Sequence, residues 1–200
     1  MRPGRLIDIM LAGAALLLSA PIMALIAAAI RLSAGAPILF RQVRVSKDGR
    51  LFHVVKFRTM NDKRDGQGHL LADQLRTTRL GRFLRRFRLD ELPQLWNIVT
   101  GAMALIGPRP LLPVTIADAG EAGRLRCTVA PGLTGWAQVN GNSLLSDKDK
   151  FALDLWYIAN RSLWLDLTIL ARTILVAVGG ERFHFSSIRR AHEGDTCGRG

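Results

Sequence analysis

Two adjacent carboxylates follow an arginine-rich run near the middle of the chain. The sequence LDELPQ at residues 89–94 places Asp90 and Glu91 directly after a run of basic residues, namely Arg82, Arg85, Arg86 and Arg88. Guanidinium groups match the oxygens of phosphate, whereas a carboxylate serves as a nucleophile, a metal ligand or a base. The combination indicates an acid pair that acts on a phosphate together with a divalent cation. A solvated helix surface with i,i+4 ion pairs is the alternative.

The charge and composition of the whole chain also indicate an anionic partner. The 200 residues contain 28 Lys and Arg against 16 Asp and Glu, a formal net charge of +12. Such a balance favours nucleic acid, anionic lipid or phosphorylated substrates. Because 48% of the residues are hydrophobic, a membrane is favoured and we expect no nucleic-acid partner. The two distant cysteines, Cys127 and Cys197, predict neither a disulfide framework nor a zinc site.

An almost wholly apolar segment occupies residues 6–30. It has three interpretations: a cleaved signal peptide, a spanning helix, or a helix that enters the bilayer and turns back. Pro21 removes a helical hydrogen bond and Ser19 can bond a freed carbonyl, so these two residues predict a break in the membrane helix. Each half of the broken helix then has about a dozen residues and is roughly 18 Å long. Neither half can cross the hydrocarbon core, which is about 30 Å thick.

Basic residues lie on both sides of this apolar segment. Arg2 and Arg5 precede it, and the basic residues that follow it are Arg31, Arg41, Arg44, Lys47 and Arg50. Cytoplasmic flanks are enriched in Lys and Arg, and a spanning helix would place one basic flank outside. We therefore predict that residues 1–35 form a re-entrant membrane anchor, with a proline-kinked spanning helix as the main alternative.

The remaining chain mixes short strands with helices. Residues 37–60 alternate apolar and polar side chains around a turn at residues 46–49, which predicts a β-hairpin. Apolar residues at Leu80, Phe83, Leu84 and Phe87 have helical spacing, which suits either a membrane surface or a core. Helices are also predicted at residues 151–159 and 163–178, and a loose polar tail at residues 181–200.

These elements define the expected architecture. We predict an α+β fold that is mainly helical, with the re-entrant helix, one small β-hairpin and amphipathic interfacial helices around an active site at the cytosolic face. Residues 36–180 would form the catalytic domain. Rigid loops at residues 107–110 and 131–136 flank its centre, and the first of them presents Arg109 between two prolines.

Five motifs, taken in order, resemble those of the bacterial sugar transferase family, the small monotopic phosphoglycosyl transferases. They are KFRTM (56–60), LDELPQ (89–94), GPRP (107–110), PGLTGWAQVNG (131–141) and WLDL (164–167). The resemblance extends from about residue 5 to residue 180. It implies transfer of a phosphosugar from a UDP-sugar to a polyprenol phosphate, usually undecaprenyl phosphate, with release of UMP.

The resemblance also implies a cellular setting. The reaction would be the first membrane step in making a glycoconjugate such as O-antigen, capsule, exopolysaccharide or a glycoprotein glycan. The enzyme would be monotopic, in contact with membrane lipid at the cytoplasmic face of the bacterial inner (plasma) membrane. Mg²⁺ would be required as the cofactor.

Roles for individual residues follow from the same resemblance. Asp90 would attack the β-phosphate and form a covalent phosphosugar intermediate. Glu91 would bind Mg²⁺, with Asp90 as the other metal ligand. The cations of the catalytic set would be Lys56, Arg88 and Arg109. The substrate-binding set would be Arg58, Thr59, Pro108, Gln138 and Asp154, although a structural ion pair is an equal alternative for Asp154.

Residues 142–150 depart from the family pattern, because an arginine expected soon after Asn140 and Gly141 is missing. This leaves the sugar open between N-acetylated amino or diamino sugars and plain hexoses. The oligomeric state, including a homodimer, is open as well. An inactive membrane scaffold and a basic peripheral protein that binds anionic lipid or nucleic acid are the alternative functions.

Overall fold

The computed structural model describes residues 3–196, which are mainly helical. The helices are Pro3–Ala34 (α1), Asp73–Arg76 (α2), Arg79–Arg86 (α3), Gln94–Val99 (α4), Pro113–Asp118 (α5), Gly120–Arg126 (α6), Trp136–Val139 (α7), Asp147–Ala159 (α8), Leu163–Gly179 (α9) and Phe185–Thr196 (α10). Short 3₁₀ turns occupy Lys47–Gly49, Leu89–Glu91 and Asn142–Leu144. The predicted helices at residues 151–159 and 163–178 are confirmed as parts of α8 and α9.

The predicted hairpin is present as strands Leu39–Val45 (β1) and Leu51–Phe57 (β2). The strands are antiparallel, with Leu39 opposite Phe57 and Val45 opposite Leu51. The turn between them contains Asp48 with φ of 58°, a left-handed conformation that aspartate tolerates better than most residues. The mainly helical α+β class with one small hairpin is therefore confirmed.

A second, parallel pair of strands was not predicted. Ala104–Ile106 (β3) pairs with Gly132–Thr134 (β4), and the Gly107 N–H donates to the Thr134 carbonyl at 2.9 Å. The two backbones touch here, since a Cβ atom on Gly132 would lie 2.1 Å from the Gly107 nitrogen. Only glycine permits so close an approach. Three-residue strands are too short to show an alternating pattern, which is why the sequence did not indicate them.

Helix α1 is continuous through Ser19 and Pro21. The predicted break at these two residues is not found as an interruption of the helix. Pro21 lacks only its own N–H, so the helix loses one hydrogen bond, to the Leu17 carbonyl, while its other turns continue. The Ser19 hydroxyl donates to the Leu16 carbonyl at 3.3 Å. Among residues 3–196, α1 is the one helix long and apolar enough to cross a membrane.

Both ends of α1 pack against the same globular unit. Near its beginning, the Arg5 guanidinium donates to the Met103 carbonyl at 2.8 Å. Near its end, Ile30 is fully buried beside Phe57 and Leu84. The opposite side of the helix exposes large apolar side chains, among them Leu17, Leu18, Leu25 and Leu32. The helix thus lies along the domain over its length and leaves one apolar face uncovered.

The prediction of a loose tail at residues 181–200 is wrong for α10. Ile188 and Ala191 are buried in the core that α8 builds, and His192 Nε2 lies 2.8 Å from Asp149 Oδ1 of α8. Apolar residues three positions apart give this short helix one face that packs, although its overall composition is polar. Residues 197–200 of the predicted tail lie outside the described residues.

Candidate active site

The acid pair lies in the 3₁₀ turn between α3 and α4. Arg88 begins this turn in a left-handed conformation, with φ of 55°, which reverses the chain after α3. Asp90 and Glu91 are both buried, yet both line an open pocket. Asn97 of α4 fixes the turn against β2, since its side chain accepts from the Val55 N–H at 3.2 Å and donates to the His53 carbonyl at 2.9 Å.

Glu91 is the centre of a cluster of cations. Its Oε1 accepts from Lys56 Nζ at 2.6 Å and from Arg109 Nη2 at 2.9 Å, and its Oε2 lies 3.7 Å from Arg88 Nη1. Burial by itself raises the pKa of Glu91, but Arg109, Lys56 and Arg88 together outweigh burial and lower that pKa to about 2. Glu91 is therefore ionised at neutral pH. The structure brings four of the five predicted catalytic residues into direct contact.

The pairing with Glu91 does not raise the pKa of Lys56 above its usual value. Burial lowers the pKa of Lys56, and the nearby Arg109 lowers it further, so that the attraction to Glu91 offsets only part of the effect. The two partners thus shift in the same direction, because Glu91 has three cations and Lys56 has few anions. The geometry supports the ionised pair, with Nζ and Oε1 only 2.6 Å apart.

Asp90, the fifth member, has the opposite electrostatic setting to Glu91. Burial raises the pKa of Asp90, and the negative charge of Glu91 raises it further, against the opposing effect of Lys56 and Arg85. A carboxylate that is costly to ionise gains from any cation or electrophile that reaches it. Two neighbouring carboxylates with oppositely shifted pKa values suit two different chemical roles.

The pocket above the acid pair has a volume of about 760 Å³. Among the described residues that line it, nine are basic and four are acidic. The basic side chains come from both strands of the hairpin, from α3 and its flanks, and from the loop after β3, and include Arg41, Arg44, Lys56, Arg85, Arg86 and Arg109. This excess of cations fits an anionic ligand with several charges, such as a diphosphate.

Arg58 and Thr59, which were predicted to bind substrate, both line this pocket. The Arg58 guanidinium already donates to Asp62 at 2.6 Å and to the backbone carbonyls of Ala36 and Met60. Thr59 Oγ1 accepts from Arg85 Nε at 2.9 Å. Arg58 therefore ties the end of α1 to the hairpin, and Thr59 holds Arg85 at the pocket wall.

Pro108 and Asp154, which were predicted to bind substrate, line neither of the two described pockets. Pro108 is fully buried where the two glycine loops meet, and its carbonyl accepts from the Gly132 N–H at 2.9 Å. Asp154 is buried in α8 and accepts from Arg126 Nε at 2.8 Å. Arg126 Nη2 also donates to the Arg109 carbonyl, so this ion pair supports the Arg109 loop from behind. Asp154 thus forms the ion pair with an arginine that was one of its two interpretations.

Gln138 lies in a second, smaller cavity of about 210 Å³. Its Nε2 donates to the Leu133 carbonyl at 3.1 Å, while its buried Oε1 has no hydrogen-bond partner among the described residues. The smaller cavity shares Arg88, Glu91 and Val176 with the main pocket, so the two spaces meet beside Glu91, whereas Asp90 lines only the main pocket.

Glu181 is a site residue that sequence reasoning missed. Its Oε1 accepts from Arg88 Nη2 at 3.0 Å and from Asn142 Nδ2, and its Oε2 accepts from the Ser143 N–H at 3.2 Å. Arg88 is thereby held between Glu91 and Glu181. No local pattern marks Glu181, because its partners lie 93 and 39 residues away in sequence. Arg126 was missed for the same reason.

The donor set at the acid pair fits a hard divalent cation. Asp90 and Glu91 supply carboxylate oxygens, and the described residues contain no cluster of three or more His, Cys, Asp or Glu that would form a cage. Mg²⁺ is commonly held by one or two carboxylates together with substrate phosphates and water. Burial and, after it, repulsion from Glu91 raise the pKa of Asp90, and a cation beside both carboxylates would relieve that repulsion.

A family model decides which group of proteins this site belongs to. The chain matches the model of the bacterial sugar transferases over residues 3–180. The chain belongs to that family. The match includes α1, the hairpin, the acid pair and both glycine loops, and it ends immediately before Glu181.

Individual bacterial sugar transferases are similar over most of this chain. A Bacillus subtilis (strain 168) protein named uncharacterized sugar transferase EpsL is 45% identical over 172 residues, which cover 84% of this chain and 85% of that protein. The UDP-glucose:undecaprenyl-phosphate glucose-1-phosphate transferase of Escherichia coli (strain K12) is 41% identical over 179 residues, which cover 84% of this chain and 38% of that protein. An Aeromonas hydrophila UDP-N-acetylgalactosamine-undecaprenyl-phosphate N-acetylgalactosaminephosphotransferase is 38% identical over 182 residues, which cover 86% and 43%. The chain thus spans about two fifths of the latter two.

Proposed function

We propose that this protein transfers a phosphosugar from a UDP-sugar to undecaprenyl phosphate, giving undecaprenyl-diphosphate-sugar and UMP. The observation that carries the proposal is the buried Asp90–Glu91 pair at the base of a strongly cationic pocket. The printed names of the Escherichia coli and Aeromonas hydrophila relatives support the same reaction class with two different sugars.

The first half-reaction is assigned to Asp90. One of its carboxylate oxygens attacks the β-phosphorus of the UDP-sugar, and the bond between that phosphorus and the bridging oxygen breaks. UMP leaves with the bonding electron pair, and the phosphosugar remains on Asp90 as an acyl phosphate. Covalent catalysis of this kind divides a transfer between a soluble donor and a lipid acceptor into two easier displacements.

The second half-reaction restores the enzyme. A phosphate oxygen of undecaprenyl phosphate attacks the same phosphorus, the acyl-phosphate bond breaks, and Asp90 is released as a carboxylate. Lys56, Arg88 and Arg109 lie where they can bind the diphosphate and stabilise the charge that develops in both transition states. In the absence of substrate, Glu91 holds these three cations in place.

Asp90 and Glu91 are also the residues that would hold Mg²⁺, which supplies positive charge to the diphosphate when it is bound. The glycan pathway and the sugar are separate questions. The printed names of the relatives include glucose, galactose and N-acetylgalactosamine transferases, so UDP-glucose, UDP-galactose and UDP-N-acetylgalactosamine form the donor panel.

We propose that the protein is monotopic and lies at the cytoplasmic face of the inner membrane; the packing of α1 supports the monotopic arrangement. A helix of 32 residues is about 48 Å long, well beyond the roughly 30 Å of the hydrocarbon core. If α1 crossed the bilayer, one end would have to leave the domain, yet Arg5 and Ile30 both pack against it. The exposed apolar face of α1 would then enter the lipid from one side.

Labelling of cysteines at the two ends of α1 tests this topology. Gly4→Cys and Ser33→Cys would be made separately in a Cys127→Ser, Cys197→Ser background. In inverted membrane vesicles, which expose the cytoplasmic face, an impermeant maleimide should label both variants. Labelling of only one variant, with the other labelled only in right-side-out vesicles, would show a spanning helix.

The reaction itself is tested by UMP release from the nanodisc-embedded protein with Mg²⁺, undecaprenyl phosphate and the donor panel. We expect release with at least one donor and no release from Asp90→Asn. Asp118→Asn, at an exposed carboxylate of α5, is the matched control and should retain full turnover. Equal turnover by Asp90→Asn would refute the assigned nucleophile.

A further inference from the structure

The smaller cavity adjoins the cationic pocket at Arg88, Glu91 and Val176. It is bounded by α9, by α7, by β3 and β4, and by the 3₁₀ turn with Leu92. Its surface is largely aliphatic, contributed by Leu92, Leu105, Leu133, Leu170, Val176 and Ala177. An aliphatic space of this kind that meets a phosphate-binding centre indicates a ligand with an anionic head and an apolar body.

Charge at the mouth of the cavity agrees with such a ligand. Arg88 and Glu91 line both spaces, and Val176 also belongs to both linings. Arg88 already contacts two carboxylates, with Nη2 at 3.0 Å from Glu181 Oε1 and Nη1 at 3.7 Å from Glu91 Oε2. An incoming phosphate can take the place of one carboxylate on this guanidinium without any new cation being supplied.

The polar atoms of the cavity argue against a sugar as its occupant. The Thr134 and Thr173 hydroxyls are 2.7 Å apart and bond each other, and Thr173 is also 2.7 Å from the Ile169 carbonyl. Among the described polar atoms that line the cavity, Gln138 Oε1 is the buried one without a partner, so the cavity offers this one free acceptor to a hydroxyl group. A hexose buries several hydroxyl groups, and each one without a partner is costly.

Helix α9 connects the cavity to an apolar exterior. Leu170, Val176 and Ala177 line the cavity, whereas Ile174, Leu175 and Val178 on the same helix are exposed and point away from it. Leu92, Leu105 and Leu133 on the opposite wall pack in the cluster that includes α1 residue Ala12. One wall of the cavity is thus α9, and the opposite wall packs against α1.

We propose that this cavity binds the first isoprene units of the polyprenyl phosphate acceptor, with the acceptor phosphate on Arg88 beside Asp90. The inference rests on the proposed function, because it assigns a place to the second substrate of that reaction. Donor and acceptor would then approach the same carboxylate from two different spaces. The phosphosugar formed from the first space would face the lipid phosphate arriving from the second.

Photocrosslinking tests the location without requiring turnover. The probe is a fifteen-carbon prenyl phosphate with a diazirine on its first isoprene unit, added to the nanodisc-embedded protein. Peptide mapping should place crosslinks on α9 around residues 170–177, and excess undecaprenyl phosphate should abolish them, whereas inorganic phosphate should not. Crosslinks confined to α1 or to the hairpin would overturn the proposal.

A variant that fills the cavity tests its role in the reaction. Ala177→Leu adds bulk inside the cavity, and Ala171→Leu makes the same change on the exposed side of α9. With donor alone, the stoichiometric burst of UMP should be retained in both variants, which also shows that both are folded. With acceptor, KM for undecaprenyl phosphate should rise about tenfold or more in Ala177→Leu only, because apolar contact with the chain is lost.

Each other result has a distinct meaning. Loss of the burst in Ala177→Leu together with altered choice of donor would assign the cavity to the sugar and overturn the proposal. Unchanged kinetics in both variants would overturn it as well. If the unmodified protein released no UMP with any donor, the proposed function would fail, whereas crosslinking to α9 would still report on lipid binding in the cavity.

Discussion

Replacement of Glu91 by Gln is expected to destabilise the protein by an amount that the structure defines. The pKa of Glu91 is lowered from 4.5 to about 2 by Arg109, Lys56 and Arg88 against the effect of burial. At about 1.4 kcal/mol per pKa unit, the ionised carboxylate contributes about 3 kcal/mol to the free energy of unfolding at neutral pH. Gln has nearly the same shape but no charge, so Glu91→Gln isolates this electrostatic contribution.

Thermal unfolding in detergent micelles measures the effect. For a protein of this size, 1 kcal/mol corresponds to about 2–4 °C in Tm, so Glu91→Gln should melt about 6–12 °C lower at pH 7. Glu121→Gln is the matched control, because Glu121 is exposed at the start of α6. That control should change Tm by no more than about 1–2 °C, as expected for surface substitutions.

The dependence of this difference on pH gives the sign of the effect. Because the pKa of Glu91 is lower in the folded protein, the stabilisation is fully present above pH 4.5 and is lost as the pH falls toward 2. The difference in Tm between the parent protein and Glu91→Gln should therefore shrink as the pH is lowered through this window. A difference of less than about 2 °C at pH 7, or one that does not change between pH 6 and pH 3, would refute the electrostatic reasoning.

Three further predictions follow from the same packing and charges. Asp90→Asn should abolish UMP release and also raise Tm. The rise in Tm is expected because the raised pKa of Asp90 means that its ionised form destabilises the fold at neutral pH. An unchanged or lower Tm would contradict this reasoning. Arg126→Met should lower Tm by about 6–20 °C, because it leaves the buried Asp154 charge unpaired at a cost of about 3–5 kcal/mol. Adding Asp154→Asn to this variant should restore part of the lost Tm. A further fall in Tm in the double variant would count against a structural ion pair. Gly132→Ala should impair folding, as judged by expression and Tm, because its Cβ would lie 2.1 Å from the Gly107 nitrogen. The control Gly66→Ala should be neutral, because there is open space around Gly66. Equal tolerance of both substitutions would show that the two glycine loops can separate.

The features that the sequence predicted correctly are those with local signals. Alternating side chains between residues 37 and 60 indicated the hairpin, and the structure places Lys56 of β2 2.6 Å from Glu91. The motif containing Asp90 and Glu91 and the loop presenting Arg109 converge because β2, the 3₁₀ turn and the loop after β3 meet at one place. A short motif carries its chemistry in its residue types, so it can be recognised before its surroundings are known.

The features that were missed depend on contacts between distant segments. The β3–β4 pair joins two three-residue strands, and nothing within either strand indicates the other. Asp154 had two equal interpretations, a substrate ligand or an ion pair, and its partner Arg126 could not be named because it is 28 residues away. Glu181 lies in a segment whose composition suggested a loose tail, although it holds Arg88 at the active site.

The central claim, that Asp90 forms a covalent phosphosugar intermediate, is tested most directly by intact-protein mass spectrometry. The protein would be mixed with Mg²⁺ and the active UDP-sugar, without acceptor, and quenched rapidly. We predict a mass increase of one phosphosugar, mapped to the peptide containing Asp90, absent in Asp90→Asn and removed when undecaprenyl phosphate is added. Acceptor-dependent UMP release without any adduct, or an adduct that persists in Asp90→Asn, would contradict the account.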